Sequence, residues 1–253
     1  QAPPLFFVLA ARMKFLAFLF VASLTQAADL QPLMALPDQI VLQDDFSKAG
    51  PLDKKAWAKR QGTQWTVEDG VFRGKPSTAE FQASKKDHKG LEPRLSAPIT
   101  PPQFIAKFSV RFDGGSETAI VPFVEFGHHV CRVRFTKDGA EVLADGESTK
   151  VAESKDLKYE PGKWLHALAE LKGDEFVIQF DGGPTIYAKH ACFAKAVESG
   201  GNGLGLAGPK GGTVELDNVT LWSIKADAQP AWAAKRDSLP KFEPVTIAKK
   251  KAK

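Results

Sequence analysis

Glu125, Arg132 and Arg134 lie on two short alternating runs, TAIVPFVEF (118–126) and VCRVRFT (130–136), and period-two alternation places all three on one polar face. A carboxylate and two guanidiniums supply acceptors and directed donors, the chemistry that recognises sugar hydroxyls. The same residues also fit a cross-strand ion pair on a solvated sheet face. A second constellation sits in WLHALAELK (164–172) and EFVIQFD (175–181), where His166 falls opposite Asp181 with Trp164 and Gln179 beside them. An aspartate that orients a histidine is half of a general-base arrangement, and a neighbouring tryptophan can stack on a sugar ring. A hydrogen-bonded contact at the sheet rim is the alternative. The candidate catalytic residues are therefore His166, Asp181 and Glu125, and the candidate ligand-binding residues are Glu125, Arg132, Arg134, Trp164 and Gln179. On this reading Glu125, Arg132 and Trp164 share one sheet face, and Arg132→Ala weakens ligand binding without lowering the melting temperature.

Other reactive side chains form no motif. His128 and His129 are adjacent, and adjacent residues on a strand point to opposite faces, so no metal ligand set is expected from them. His88 and His190 have no carboxylate or histidine at a useful spacing. No serine or cysteine can be placed beside His166 from the sequence, so no triad is assigned. Cys131 and Cys192 lack C-x-x-C spacing, which leaves either one disulfide or two buried thiols. No P-loop, G-x-S-x-G, H-E-x-x-H or EF-hand pattern occurs.

The elements that must hold these residues are short strands. Between 40 and 222 the chain runs in alternating segments broken by Gly, Pro and Asp, with turn signals every 8 to 12 residues or so, the pattern of an antiparallel all-β sandwich. Gly127-His128 suits a two-residue turn that pairs Phe126 with His129, Val124 with Cys131 and Phe123 with Arg132. That puts Ile120, Pro122, Val124, Phe126, Cys131, Val133 and Phe135 on the core face, and Val121, Phe123, Glu125, Val130, Arg132 and Arg134 on the other. Gly173-Asp174 likewise pairs Leu171 with Phe176, Ala169 with Ile178 and Ala167 with Phe180, six core residues. Trp164, His166, Leu168, Glu170, Val177, Gln179 and Asp181 then face away. Trp57 and Trp65 are expected in the core. Helix is expected only as a turn within 52–59 and a weak segment at 231–238.

Charge narrows the partners. The formal charge is +4, but residues 225–253 hold eight Lys or Arg against three acids, and residues 28–224 hold 24 bases and 27 acids. A nucleic-acid groove needs a basic face on the folded domain, so no nucleic-acid partner is expected. MKFLAFLFVASLTQA (13–27) has a lysine, an apolar run too short to span a bilayer and small residues before Ala28, the pattern of a cleaved secretory signal. The expected organisation is an upstream non-native extension (1–12), a signal peptide (13–27), a β-sandwich (38–225) and a basic Ala/Pro/Lys tail (226–253). The mature chain is expected to be exported, periplasmic or extracellular, with no transmembrane segment.

Residues 46–74, FSKAGPLDKKAWAKRQGTQWTVEDGVFRG, resemble the opening of secreted bacterial domains of the concanavalin A-like lectin/glucanase superfamily, above all laminin-G-like sheets and the 3-keto-disaccharide hydrolase domain family. The W-x-V-x-D-G-x-L-x-G element stands as Trp65, Val67, Asp69, Gly70, Val71 and Gly74, and GGTVELDNVTLWSI (211–224) resembles the closing strand. The resemblance covers roughly 40–224. It implies a two-sheet antiparallel jelly-roll sandwich with a concave face and a carbohydrate or cell-envelope polymer as partner. It also implies calcium, through Asp and carbonyl oxygens, as the ion to consider, although no cofactor is assigned. Two departures bear on chemistry. The hydrolase family's Asn-Ser-Gly run is replaced by Gly114-Gly115-Ser116-Glu117-Thr118, and the glucanase E-x-D-x-x-E begins at Glu215 and Asp217 but has Thr220 in the last position. Without that second carboxylate the leaving oxygen lacks its proton donor. The expectation is a non-catalytic carbohydrate-binding sandwich. A 3-keto-glycoside hydrolase or lyase with His166 or Glu125 as base is the alternative, and a laminin-G-like protein-binding module is the third possibility.

Overall fold

The computed structural model describes residues 30–48, 53–98, 101–115, 122–195 and 203–247. The expectations for 1–12, for the signal peptide at 13–27, for Ile120 and Val121, and for the terminal lysines at 249–253 lie outside these residues. The described residues form two eight-stranded antiparallel sheets. The first runs in the order β13 (Thr185–Lys189), β12 (Glu175–Phe180), β11 (Trp164–Lys172), β6 (Phe104–Asp113), β15 (Thr213–Ala228), β4 (Val71–Lys75) and β3 (Gln64–Glu68), with β1 (Ala35–Asp44) also pairing with β15. The second runs β16 (Val245–Thr246), β10 (Thr149–Ser154), β9 (Gly139–Ala144), β8 (Cys131–Thr136), β7 (Phe123–Phe126), β14 (Leu204–Ala207), β5 (Arg94–Ala97) and β2 (Ala58–Lys59). This is a two-sheet antiparallel jelly-roll sandwich, as expected. Two short α-helices among the described residues, α1 (Ala79–Ser84) and α2 (Trp232–Asp237), lie outside the sheets. Within the 52–59 segment, the described residues form turns and β2 rather than helix.

Alternation along each strand builds the core. Phe72, Phe104, Phe112, Phe126, Phe135, Phe176 and Phe193 are almost fully buried between the sheets. Each such ring removed from water contributes on the order of 1.5–3 kcal/mol, so this phenylalanine layer is a main source of stability. Phe126 of the second sheet meets Phe176 of the first at 4.9 Å between ring centroids, tying the two layers. Trp57 and Trp65 are buried as expected. The Trp65 indole lies against Gly74, where a Cβ would come within 2.6 Å of the ring, so the spacing of tryptophan and glycine in this hairpin is a packing requirement.

The second predicted hairpin has the expected register: Ala167 pairs with Phe180, Ala169 with Ile178 and Leu171 with Phe176 around Gly173, whose φ is 59°. The first does not. Phe126 pairs with Cys131 and Glu125 with Arg132, a shift of two residues. The turn spans four residues, 127–130, closed by the Val130 amide donating to the Gly127 carbonyl (3.1 Å) and the His129 amide to Glu125 Oε1 (3.0 Å). The longer loop lets Val130 turn into the core, where the two-residue reading had placed it on the polar face. Because the shift is even, Val124, Phe126, Cys131, Val133 and Phe135 remain on the core side.

Residues 33–35 and α2 pack on the outer face of the first sheet. Glu170, fully buried, accepts backbone N–H bonds from Leu33, Met34 and Ala35 at 2.7, 2.9 and 2.6 Å. Trp232 of α2 joins Met34, Val177 and Leu239 in a separate apolar cluster, and β16 pairs with β10, so residues 228–247 lie on the domain.

Candidate functional site

The predicted site residues fall on opposite sides of the sandwich. Trp164, His166, Gln179 and Asp181 belong to the outer face of the first sheet, whereas Glu125, Arg132 and Arg134 belong to the outer face of the second. The expected face holding Glu125, Arg132 and Trp164 together therefore does not exist, because β11 and β7 are in different sheets.

On the first face, β11, β6 and β15 align cross-strand rows. Trp164 pairs with Arg111 and Arg111 with Glu215. The Arg111 guanidinium lies 5.1 Å from the Trp164 ring centroid and ion-pairs with Glu215, which also holds Arg73 Nε at 2.8 Å. The indole face is thus engaged by a neighbouring cation. In the next row His166 Nδ1 and Ser109 Oγ are 2.7 Å apart, and Asp217 pairs with Ser109 from the far side. Burial raises the Asp217 carboxyl pKa. Ser109 escaped the sequence reading because it sits inside the apolar run of β6; its signal was a small hydroxyl between Lys107 and Arg111 on the outward phase. Asp181 is opposite His166, as predicted, through its amide donating to the His166 carbonyl at 2.9 Å. Gln179, expected to bind ligand, donates from Nε2 to the Gln31 carbonyl at 2.8 Å, so the N-terminal segment occupies it. Leu168, Glu170 and Val177 are buried by the same segment and α2.

On the second face, one cross-strand row reads Ser96, Gly205, Glu125, Arg132, Leu143 and Lys150, and the next reads Arg94, Ala207, Phe123, Arg134, Glu141 and Glu153. Leu204 and Leu206 fill the core, so β14 turns only Gly205 and Ala207 outward. Two small residues in succession sink the middle of this face into a trough. A pocket of about 190 Å³ lies there, bordered by Arg60, Arg94, Ser96, Glu125 and His128 over Gly205 and Phe123.

The electrostatics of the trough are set underneath it. Glu125 is 6 % exposed and Arg132 8 %, and Arg132 Nη2 donates to Glu125 Oε1 at 2.7 Å. Arg132 also ion-pairs with Glu147 and stacks on Phe123, its guanidinium 3.8 Å from the ring centroid. Burial lowers its pKa against the pull of Glu125. Arg132 thus fixes Glu125 and Phe123 of the trough floor from the neighbouring strand β8. Arg134 is engaged with Glu141, Nη2 to Oε2 at 2.5 Å, away from the pocket. Arg60 Nε donates to Ser96 Oγ at 2.9 Å, and Arg94 lies 5.5 Å from the Phe123 centroid while its Nη2 pairs with Glu92 at 2.7 Å. Arg60, Arg94, Ser96 and His128 were missed by sequence reasoning. For Arg94 and Ser96 the available signal was the outward phase of RLSA.

A larger cavity, about 530 Å³, lies between β13 and the C-terminal segment. On its wall Tyr187 donates to Glu175 at 2.7 Å, and Arg236 pairs with the same carboxylate.

No protein-family model matches the sequence, and no curated protein matches it. Among solved structures the chain is similar to a Bacillus subtilis protein with a galectin-like fold, with a TM-score of 0.54 and 8% identity over 76% of this chain and 99% of that one. It is also similar to the exoplasmic/lumenal domain of VIP36 in a Ca2+/Man3GlcNAc-bound form, with a TM-score of 0.49 and 9% identity over 83% and 99% of the two chains. The carbohydrate-binding module CBM66 from Bacillus subtilis gives a TM-score of 0.46 and 18% identity over 67% and 96%. The galectin-like match agrees with the two-sheet architecture, and at this identity it speaks to the fold alone.

Proposed function

We propose that this protein is an exported, non-catalytic β-sandwich that binds carbohydrate, or another hydroxyl-rich envelope polymer, in the trough along β14. The observation that carries the reading is the convergence of Arg60, Arg94, Ser96, Glu125 and His128 on one pocket floored by Gly205 and Phe123. Guanidinium and imidazole N–H groups donate, the Glu125 carboxylate accepts, and an apolar floor suits the faces of sugar rings. Glycoside hydrolysis uses two carboxyl groups roughly 5–10 Å apart, and among the described residues lining the trough Glu125 is the one carboxylate. Glu125 Oε1 already accepts from Arg132 Nη2 and the His129 amide, the role of an acceptor in the pocket wall. No helix among the described residues is long and apolar enough to cross a membrane.

A second reading rests on one observation, the 2.7 Å contact of His166 Nδ1 with Ser109 Oγ beside Asp217. It is a hydrolase or lyase of 3-keto-glycosides with His166 as base. Residues 28–253 on a glycan array, run alongside a 3-keto-glycoside turnover assay, separate the two. Binding without turnover is the expected result. Turnover that disappears in His166→Ala would replace the proposal with the second reading, and silence in both assays would overturn each and leave a laminin-G-like protein-binding module.

A further inference from the structure

Adjacent strand residues point to opposite faces, but His128 and His129 are not on a strand. They occupy the middle of the four-residue turn between β7 and β8, and the φ of 60° at His129 brings its ring back to the side of His128, with ring centroids 3.8 Å apart. The buried Glu125 carboxylate lies beneath them. One ligand atom from each of Glu125, His128 and His129 falls within 4.8 Å of the others, and His128 Nδ1 is 3.7 Å from Glu125 Oε2.

We infer that Glu125, His128 and His129 form a binding site for a divalent transition metal, zinc by its donor set, at the edge of the trough. Two imidazole nitrogens and one carboxylate oxygen are borderline ligands that suit Zn²⁺ and do not suit calcium, which takes a shell of six or more oxygens. Tetrahedral zinc at ordinary bond lengths sets its ligand atoms about 3.3 Å apart, within small rotations of the two exposed imidazoles from their present positions. The carboxylate is already oriented. Glu125 Oε1 accepts Arg132 Nη2 and the His129 amide, which leaves Oε2 toward the imidazoles, the division of labour expected of a ligand held by an outer shell. Three protein ligands leave a coordination position for water or a ligand oxygen. The inference stands apart from the carbohydrate reading, since it is tested with the metal alone.

Calorimetric titration of the metal-stripped full chain with Zn²⁺ is expected to show one tight equivalent, lost in the double variant His128→Ala, His129→Asn. Asparagine is chosen because it tolerates the left-handed backbone at 129. The same tight equivalent in the double variant would overturn the inference. A second measurement needs no variant. Diethyl pyrocarbonate modification of the wild-type chain, read by mass spectrometry, should be blocked by Zn²⁺ at His128 and His129 and unchanged at His88 and His190; equal labelling of all four with and without Zn²⁺ would also overturn it.

Discussion

Gly205 faces Glu125 directly across β14 and β7, and a Cβ at 205 would lie 3.6 Å from Glu125 Oε2 with nothing closer. The trough is therefore open because a side chain is missing, in a strand where one would fit. Glycine in a strand interior weakens the strand, so its presence here is explained by the space it leaves and not by any backbone requirement.

Arg132 and Arg134 look equivalent in the sequence and should behave differently. Arg132→Ala removes the buried partner of Glu125 and is expected to destabilise the fold by about 3–5 kcal/mol. Arg134→Ala breaks a partly exposed pair with Glu141 and should cost no more than about 1 kcal/mol. Urea denaturation of the two variants checks this, and similar midpoints would contradict the buried role of Arg132. The expected result is the reverse of the sequence-based expectation that Arg132→Ala leaves the melting temperature unchanged.

Glu170 clamps the N-terminal segment. Glu170→Gln retains one acceptor oxygen for three amide donors and should destabilise the protein by about 3 kcal/mol, with faster amide exchange at Leu33, Met34 and Ala35. Burial raises the Glu170 pKa despite these bonds. The folded chain then holds a proton that the unfolded chain has released, so the stability contributed by Glu170 declines as pH rises through the raised value and recovers toward pH 4.5. The stability difference between wild type and Glu170→Gln should therefore widen as pH falls from 7 to 5; a narrowing gap would mean that the three amides outweigh burial.

Cys131 and Cys192 are free thiols in the core, and burial raises both pKa values. A thiol reagent should label neither in the folded protein and both in denaturant without a reductant. Labelling that requires a reductant would instead reveal a disulfide.

Much of the scaffold was legible because strand alternation and turn chemistry are local. Gly173-Asp174 fixed its hairpin to the residue, and the buried tryptophans followed from their motif. The register at Gly127 was not legible, since the longer turn is held by Glu125 accepting the His129 amide and by Val130 reaching the core, contacts that no pairwise turn rule contains. The site was half legible. Glu125 and Arg132 were recognisable as a charged face, but their partners across β14 and β5 come from segments 80 residues away and 30 residues before them. Trp164 was misassigned to that face because alternation tells the phase of a strand and not the sheet to which it belongs.

Trp164→Ala and His166→Ala lie on the far face and should leave carbohydrate retention unchanged, in contrast to Arg94→Ala. Loss of retention in either far-face variant, with the fold intact by circular dichroism, would move the binding surface to the first sheet.

The most direct test of the trough is affinity electrophoresis of the wild type and Gly205→Val through gels containing a neutral β-glucan, a polyuronate or peptidoglycan. The valine occupies the pocket from a position with room for its Cβ and a strand that favours it, so the melting temperature should hold while retardation disappears. Retardation equal to wild type in a folded Gly205→Val protein would contradict the account.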